Sequence, residues 1–451
     1  MSTLMVSVSG MRGIVGADLT PELVARHAAA LGAWARGVGN PLVVVGRDAR
    51  TSGEMFARAA ISGLQSVGCQ VVDVGLVPTP TVQMAVEHHR AGGGLVLTAS
   101  HNPVEWNALK FVGPDGIFLD AATGAAVRAL AEQGPPRAGW DGVGGLVLDP
   151  GAVERHLEAI FALPVVDAAR IRERRFRVAL DCVRGAGGTI IPELLRRLGC
   201  EVSAINLETD GRFPRPPEPL PENLGPLGEL TRTSGAELGL AVDPDVDRLA
   251  LVDDRGHPIG EDYTLALAVR AVAGGRTDGT ATVVANLSTS LVVEDAARDA
   301  GARFLRAPVG EAHVARMIRD EGALIGGEGN GGVILPALHI GRDAPLGVAL
   351  ILQYLARAGR PLSELVAGWP RYEIVKHKLA RGAKLDEAFG ALKRRFADAQ
   401  VDERDGLRLG WSDRWLHLRA SGTEPVIRII AEARNAADAQ ALVTGCRDLL
   451  S

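Results

Sequence analysis

The stretch LVLTASHNPVEWNALKF, Leu95 to Phe111, brings an apolar run to a halt at Thr98, Ala99, Ser100, His101, Asn102 and Pro103. Proline disfavours the helical region for the residue before it, so this halt is a loop at a strand end. A hydroxyl, an imidazole and an amide stand together there, and Lys110 follows soon after. A loop serine is ordinarily a turn residue bonded to its own backbone. Two chemistries compete with that reading. Ser100 as a hydrolase nucleophile would need a histidine in reach, but His101 is its immediate neighbour, and no G-x-S-x-G elbow is present. Ser100 as the carrier of a phosphoryl group would need a cation to neutralise it, with Lys110 close enough to handle a proton or a charge.

ELGLAVDPDVDRLALVDDRG supplies such a cation site. Asp243, Asp245 and Asp247 follow an apolar run at every second position, so three carboxylates can converge on one side of a turn. Hard oxygen ligands of this kind suit Mg²⁺. An EF-hand loop also opens D-x-D-x-D, but Arg248 stands where that loop needs glycine, and strands flank it instead of helices. The plain alternative is a solvated acidic turn.

In LRASGTEPVIRI, Arg419 and Arg428 bracket Ser421, Gly422 and Thr423, so that hydroxyls, accessible backbone N–H groups and two guanidinium forks could surround a phosphate that is not being transferred. A Walker loop is absent, and a polar hairpin turn with surface arginines is the alternative. ALIGGEGNGGVILP surrounds Glu328 and Asn330 with glycines, which lets backbone approach a ligand while a carboxylate and an amide read sugar hydroxyls. Near the start, SGMRGIVG places Arg12 between glycines as a cleft cation, whereas Arg47, Asp48 and Arg50 in VVGRDARTSG read as a structural ion-pair network.

These loops need scaffolds. Three segments, starting at Pro41, Phe176 and Thr280, each read as strand, Gly/Ser-containing loop, amphipathic helix, glycine stop and second strand, with Gly68, Gly199 and Gly301 as left-handed caps. They predict three related α/β domains. Glu132 to Gly145 is rich in Pro and Gly and marks a boundary, while Phe213 to Pro226 predicts a long ordered loop inside the second domain. From about Pro370 a helix over Leu385 to Ala397 and the strand-like WLHLRA and VIRIIAEA predict a smaller α+β domain. The expected divisions are 1–148, 149–251, 252–368 and 369–451.

The bulk properties agree. A chain of 451 residues needs several cores, and 47% hydrophobic with 23% charged residues is ordinary soluble composition. No apolar run is long enough to span a bilayer, and a net charge of -5 argues against a general nucleic-acid binder. The N-terminus lacks the pattern of a secretory signal, so the cytoplasm is the expected location. Cys69, Cys182, Cys200 and Cys446 form no C-x-x-C pair and are expected as free, mostly buried thiols. No coiled-coil pattern selects between monomer and homodimer.

With TASHNP, DPDVDR, GGEGNGG and RASGTEP in this order, the chain resembles the α-D-phosphohexomutase superfamily nearly end to end. The resemblance implies a heart-shaped four-domain molecule around a central cleft, three domains sharing a mixed α/β core. It implies that Ser100 is phosphorylated in the resting enzyme, and that one Mg²⁺ per chain is held by that group with Asp243, Asp245 and Asp247. It also implies that a hexose phosphate is isomerised through a hexose 1,6-bisphosphate, which serves as intermediate and activator. Arg419, Ser421, Gly422, Thr423 and Arg428 match the site for the fixed phosphate. Lys110 matches the acid/base lysine, near Arg12 as electrostatic stabiliser and His101 as a lesser candidate, and Arg248 matches an arginine that steadies the phosphoserine.

Many bacterial members carry a serine and a histidine after the glutamate, where this chain has Gly329, Asn330 and Gly332. That form of the loop is similar to archaeal-type phosphoglucosamine mutases and to phosphomannomutase/phosphoglucomutases, with glucosamine phosphate the favoured substrate. Two other classes stay in view: a metal-dependent phosphatase with an aspartate of DPDVD as nucleophile, and a catalytically silent sugar-phosphate sensor.

Overall fold

The computed structural model describes residues 4–7, 10–274, 280–380, 385–420 and 426–449. Its first predicted strand, Leu42–Arg47, buries all four central residues. Successive side chains of a strand point to opposite faces. Val43 and Val45 accordingly join Leu31, Phe56 and Leu64 of the helices Pro21–Gly37 and Gly53–Gln65. Val44 joins Val82 and Val86 of Thr79–His88 on the other side. Helices on both faces explain why the run is apolar throughout, not alternating.

All three predicted β-α-β units form. In each, two parallel strands flank a helix: Leu42–Arg47 with Gln70–Leu76, Arg177–Asp181 with Glu201–Ile205, and Thr282–Asn286 with Arg303–Ala307. Gly68, Gly199 and Gly301 adopt φ of +82°, +73° and +69°, the left-handed region that ends a helix without a Cβ clash.

A third strand in each unit, Gly93–Leu97, Leu238–Val242 or Ile325–Glu328, lies parallel on the other side of the first. Each then turns back into an antiparallel partner: Trp106–Val112, Leu249–Val252 or Gly332–Ile334. The turns between are TASHNP, DPDVDR and the glycine loop. Three loops with different chemistry are therefore one connection, repeated in three copies of the same unit.

The first sheet extends through Gly10–Ile14 and Met5–Ser7 at one edge and Leu146–Leu148 at the other. The Pro/Gly-rich segment before that last strand runs along the first domain, with the Ala138 and Gly144 amides donating to the Ser66 and Gln65 carbonyls. The second and third units share one apolar cluster, in which Leu180 and Leu240 pack with Leu267 and Val283. The fourth sheet is antiparallel, ordered Glu373–Ala380, Val426–Ala433, Trp415–Ala420, Leu407–Gly410 and Gln400–Asp402. It carries the helices Leu385–Arg395 and Ala436–Arg447. The first of these stops two residues short of the predicted end. Residues 213–224 are an irregular ordered loop with one 3-10 turn, Pro221–Asn223. The last two residues of the predicted loop instead open the helix Gly225–Ser234, where Pro226 is tolerated because first-turn N–H groups have no partner within the helix. All four cysteines are free, and Cys200 alone is half-exposed. No described helix is long and apolar enough to cross a membrane.

Candidate active site

The serine loop is shaped from beneath by Arg50. Its two terminal nitrogens donate to the carbonyls of Ser100 (2.7 Å), Asn102 (2.6 Å), Pro103 (2.7 Å) and Trp106 (2.8 Å). Asp48, paired with Arg50 at 3.2 Å with both side chains fully buried, accepts from Thr98 Oγ1 at 2.6 Å. Thr98 Oγ1 in turn accepts from the Ser100 amide at 2.9 Å. Of the expected network the Asp48–Arg50 ion pair is present and supports the loop, whereas Arg47 Nη1 donates to the Asp48 backbone carbonyl at 3.3 Å. Ser100 sits at φ +48°, a left-handed conformation that a non-glycine residue keeps only where its surroundings impose it. The strain directs Oγ across to the second unit, where it donates to Asp243 Oδ2 at 3.0 Å.

The second loop brings Asp243, Asp245 and Asp247 together as expected. One oxygen from each lies within 4.8 Å of the others, and all three residues are fully buried. Val246 takes φ +64°, a costly conformation for a β-branched residue, and this turn is what lets three alternating carboxylates share one side. Asp243 Oδ1 accepts from the amides of Asp247 and Arg248 at 3.2 Å each. Asp245 Oδ2 accepts from Thr79 Oγ1 and Lys110 Nζ, both at 2.7 Å. Asp245 Oδ1 and Asp247 Oδ1 are buried with no hydrogen-bond partner, which is the state of oxygens built to meet a cation.

Electrostatics divides the cluster. Burial, reinforced by Asp247 and Asp245, pushes the Asp243 carboxyl well above its ordinary value. Burial acts the same way on Asp245, but Lys110 outweighs it and holds that carboxyl low. Lys110 is itself raised: burial lowers it, and Asp245 and Asp247 more than reverse the effect. His101 Nδ1 stands 3.3 Å from Ser100 Oγ, and its ring is held well below the ordinary value, first by Arg248 and then by burial. Arg248 Nη1 donates to Glu218 at 2.9 Å, and Arg12 Nη1 donates to Asn102 Oδ1 at 3.2 Å. Ser100, His101, Lys110, Arg12, Arg248 and the three aspartates therefore form one continuous constellation.

The third loop lies beside it, joined to the aspartates through Arg342. Glu328 is 4% exposed. It accepts from Asn286 Nδ2 (2.9 Å), the Gly310 amide (3.1 Å) and Arg342 Nη1 (2.8 Å), with Asn330 Nδ2 at 3.5 Å. The glycines make room for protein before any ligand. A Cβ at Gly329 would lie 2.1 Å from Asp262 Oδ1, and one at Gly332 would lie 2.2 Å from Arg342 Cδ.

Of the phosphate-binding segment, Ser421, Gly422 and Thr423 lie outside the described residues. Arg419 and Arg428 stand opposite each other on adjacent strands. Arg419 forms an ion pair with Asp405, Nε 3.0 Å from Oδ2, and the same oxygen accepts from the Val309 amide at 3.0 Å. Val309 precedes Gly310, so this arginine and the Glu328 loop are joined through one carboxylate.

Arg342, Glu311, Glu218, Thr79 and Asp405 escape a reading of motifs. Arg342 left one trace: the tetrapeptide GRDA at Gly341–Ala344 repeats that at Gly46–Ala49. Glu218 comes from the proline-rich loop, and nothing in composition tells which side of such a loop faces a site.

Comparisons with known proteins show the family and the fold. The models for phosphoglucomutase/phosphomannomutase α/β/α domains I, II and III match residues 4–137, 154–256 and 260–372, and the model for the C-terminal domain matches 374–448. A Thermococcus kodakarensis protein named phosphoglucomutase/phosphomannomutase is 40% identical over 440 residues, covering 94% of each chain. A Methanopyrus kandleri protein named probable phosphoglucosamine mutase is 38% identical over 431 residues, 95% of this chain and 93% of the relative. Among solved structures, a Burkholderia thailandensis phosphoglucomutase/phosphomannomutase family protein superposes with TM-score 0.87 at 28% identity, covering 99% of this chain and 96% of its own. The fold also matches an Aspergillus fumigatus N-acetylphosphoglucosamine mutase in complex with GlcNAc-6P and magnesium, at TM-score 0.60 and 15% identity over 99% of this chain and 96% of that one. The chain belongs to the phosphoglucomutase/phosphomannomutase family.

Proposed function

We infer that this isomerase interconverts hexose 6-phosphate and hexose 1-phosphate, with Ser100 Oγ as the atom that lends and reclaims the phosphoryl group. The Oγ–P bond breaks as the free hydroxyl of a bound hexose monophosphate attacks phosphorus, giving a hexose 1,6-bisphosphate, and the proton lost by that hydroxyl ends on Ser100 Oγ. The sugar turns over, its other phosphoryl group returns to Ser100, and the isomeric monophosphate leaves. The observation that carries this reading is the 3.0 Å hydrogen bond from Ser100 Oγ to Asp243, a member of a buried three-carboxylate cluster with two unpartnered oxygens.

Asp243, Asp245 and Asp247 with the phosphorylated Ser100 are the residues that would hold Mg²⁺, whose double charge would neutralise phosphoryl oxygens. Lys110 keeps its proton in this setting, so its part is that of an ammonium able to donate to an ester oxygen or to steady charge. Arg12 and Arg248 line the same loop as fixed cations, and His101 stays neutral as a hydrogen-bonding neighbour of Oγ. Arg419, Arg428 and the segment between them take the phosphate that stays on the sugar.

A phosphatase using Asp243 as nucleophile fits less well. Its Oδ1 accepts two backbone amides and its Oδ2 accepts Ser100 Oγ, and a carboxylate nucleophile would leave the strained serine, aimed into the aspartate cluster, without a task.

For the sugar, glucosamine phosphate is our first reading, in line with the relatives named phosphoglucosamine mutase. Glucose and mannose phosphates are the second, favoured by the name of the 40% identical relative. A coupled assay offering glucosamine, glucose and mannose 6-phosphates, each with catalytic 1,6-bisphosphate and Mg²⁺, ranks them. Turnover fastest with glucosamine phosphate supports the first reading, and no turnover with any of the three overturns the assignment.

A further inference from the structure

Arg342 belongs to none of the four motifs, yet its guanidinium meets three buried carboxylates from three separate segments. Nη2 donates to Asp247 Oδ2 at 2.6 Å, Nη1 to Glu328 Oε2 at 2.8 Å and Nε to Glu311 Oε2 at 3.0 Å. The residue is 7% exposed, and its own amide is fixed by Glu311 Oε1 at 3.2 Å. The next residue, Asp343, caps the helix Ala344–Ala358 and accepts from the buried His156 and His339, so the backbone beneath the guanidinium is held as well.

Two details give this contact a direction. Arg342 donates to Asp247 Oδ2, while Asp247 Oδ1 is buried without a hydrogen-bond partner, 3.7 Å from Arg248 Nε, so the arginine fixes one oxygen of the carboxylate and leaves the other available to a cation. On the other side its methylenes fill the space where any side chain at position 332 would stand. The glycine there is what admits the arginine between the two loops.

We propose that Arg342 is a positioning residue that ties Asp247 of the acid loop to Glu328 of the sugar loop, so that cation binding and sugar seating are coupled through one guanidinium. A single delocalised cation shared by three carboxylates redistributes its attraction when any one of them changes. Neutralising Glu328 leaves Arg342 to bond more tightly to Asp247, in competition with a divalent ion. The inference rests on the phosphohexomutase reading only for the identity of the ligand at Glu328.

The test is a calorimetric Mn²⁺ titration of the full chain as wild type, Glu328→Gln, Arg342→Lys and the double variant. Glu328→Gln, outside the aspartate cluster, is expected to weaken Mn²⁺ binding about fivefold or more. Arg342→Lys keeps the charge but cannot hold three carboxylates in a fork, and a loss of about tenfold or more is expected. In the Arg342→Lys background the Glu328 change should then have little further effect. An Mn²⁺ affinity within about twofold of wild type in Glu328→Gln, or independent effects in the double variant, overturns the proposal. Should Arg342→Lys not fold, the Glu328→Gln titration decides by itself. A wild type that binds Mn²⁺ but isomerises no hexose phosphate would overturn the functional reading and leave this coupling standing.

Discussion

Ser100 Oγ and Asp243 Oδ2 are 3.0 Å apart across the boundary between the first and second sheets. Neither loop makes the site alone. The serine loop presents an oxygen in a strained turn, the aspartate loop presents buried charge, and the bond between them exists only when the two units are packed together. Disturbing the packing under either loop should therefore cost activity without touching a reacting atom.

Arg50 offers the sharpest case. Arg50→Lys keeps a cation beside Asp48 but cannot donate to four carbonyls of the serine loop. Small displacements of a reacting group are costly, so kcat should fall about 100-fold in steady-state assays while the chain stays folded. Arg50→Met, which leaves Asp48 buried and unpaired, should also cost about 3–5 kcal/mol of stability in chemical denaturation.

Mg²⁺ should stabilise the folded chain by mass action. At 100 times its dissociation constant the ion is worth about 2.7 kcal/mol, visible as a rise in Tm. In Asp245→Asn, with one ligand neutralised, that rise should largely vanish at the same Mg²⁺ concentration.

His417 predicts a pH effect on the contact between the third and fourth sheets. Its ring lies between Ser288 Oγ at 2.8 Å and the Asp405 carbonyl at 2.7 Å, and burial pushes it down to about 4 from the ordinary 6.5. The unfolded chain thus takes up the proton first. Stability from the neutral ring is fully present above about pH 6.5 and is lost as pH falls towards 4. Between pH 7.5 and pH 5 wild type should lose about 2 kcal/mol relative to His417→Gln, measured by denaturant unfolding at both pH values.

Gly332→Ala should be strongly destabilising, because its Cβ would meet Arg342 Cδ at 2.2 Å. Pairing it with Arg342→Ala removes the clash. Thermal unfolding should show a double variant less destabilised than the sum of the two single changes.

Much of this was legible because the chemistry is local in sequence. D-P-D-V-D places its three carboxylates within five residues, and the order strand, helix, glycine, strand repeats often enough to reveal three copies of one unit. What was not legible depends on long-range packing. Glu328 stands out in GGEGNGG, but the sequence does not show that Asn286, the Gly310 amide and Arg342 converge on its carboxylate. Of the network read from Arg47, Asp48 and Arg50, the ion pair is Asp48 with Arg50, and only the fold shows the serine loop resting on it. Arg342 lies 95 residues beyond Asp247, and no periodicity links two positions that meet only through two turns of separate sheets.

The most direct test of the central claim follows labelled phosphate. Wild-type protein, incubated with radiolabelled hexose 1,6-bisphosphate and Mg²⁺, is digested and mapped, and then chased with unlabelled hexose monophosphate. The account predicts label on the peptide containing Ser100, its transfer into hexose phosphate on the chase, and neither label nor isomerisation in Ser100→Ala. Label absent from Ser100 during turnover, or a Ser100→Ala enzyme as fast as wild type, would contradict it.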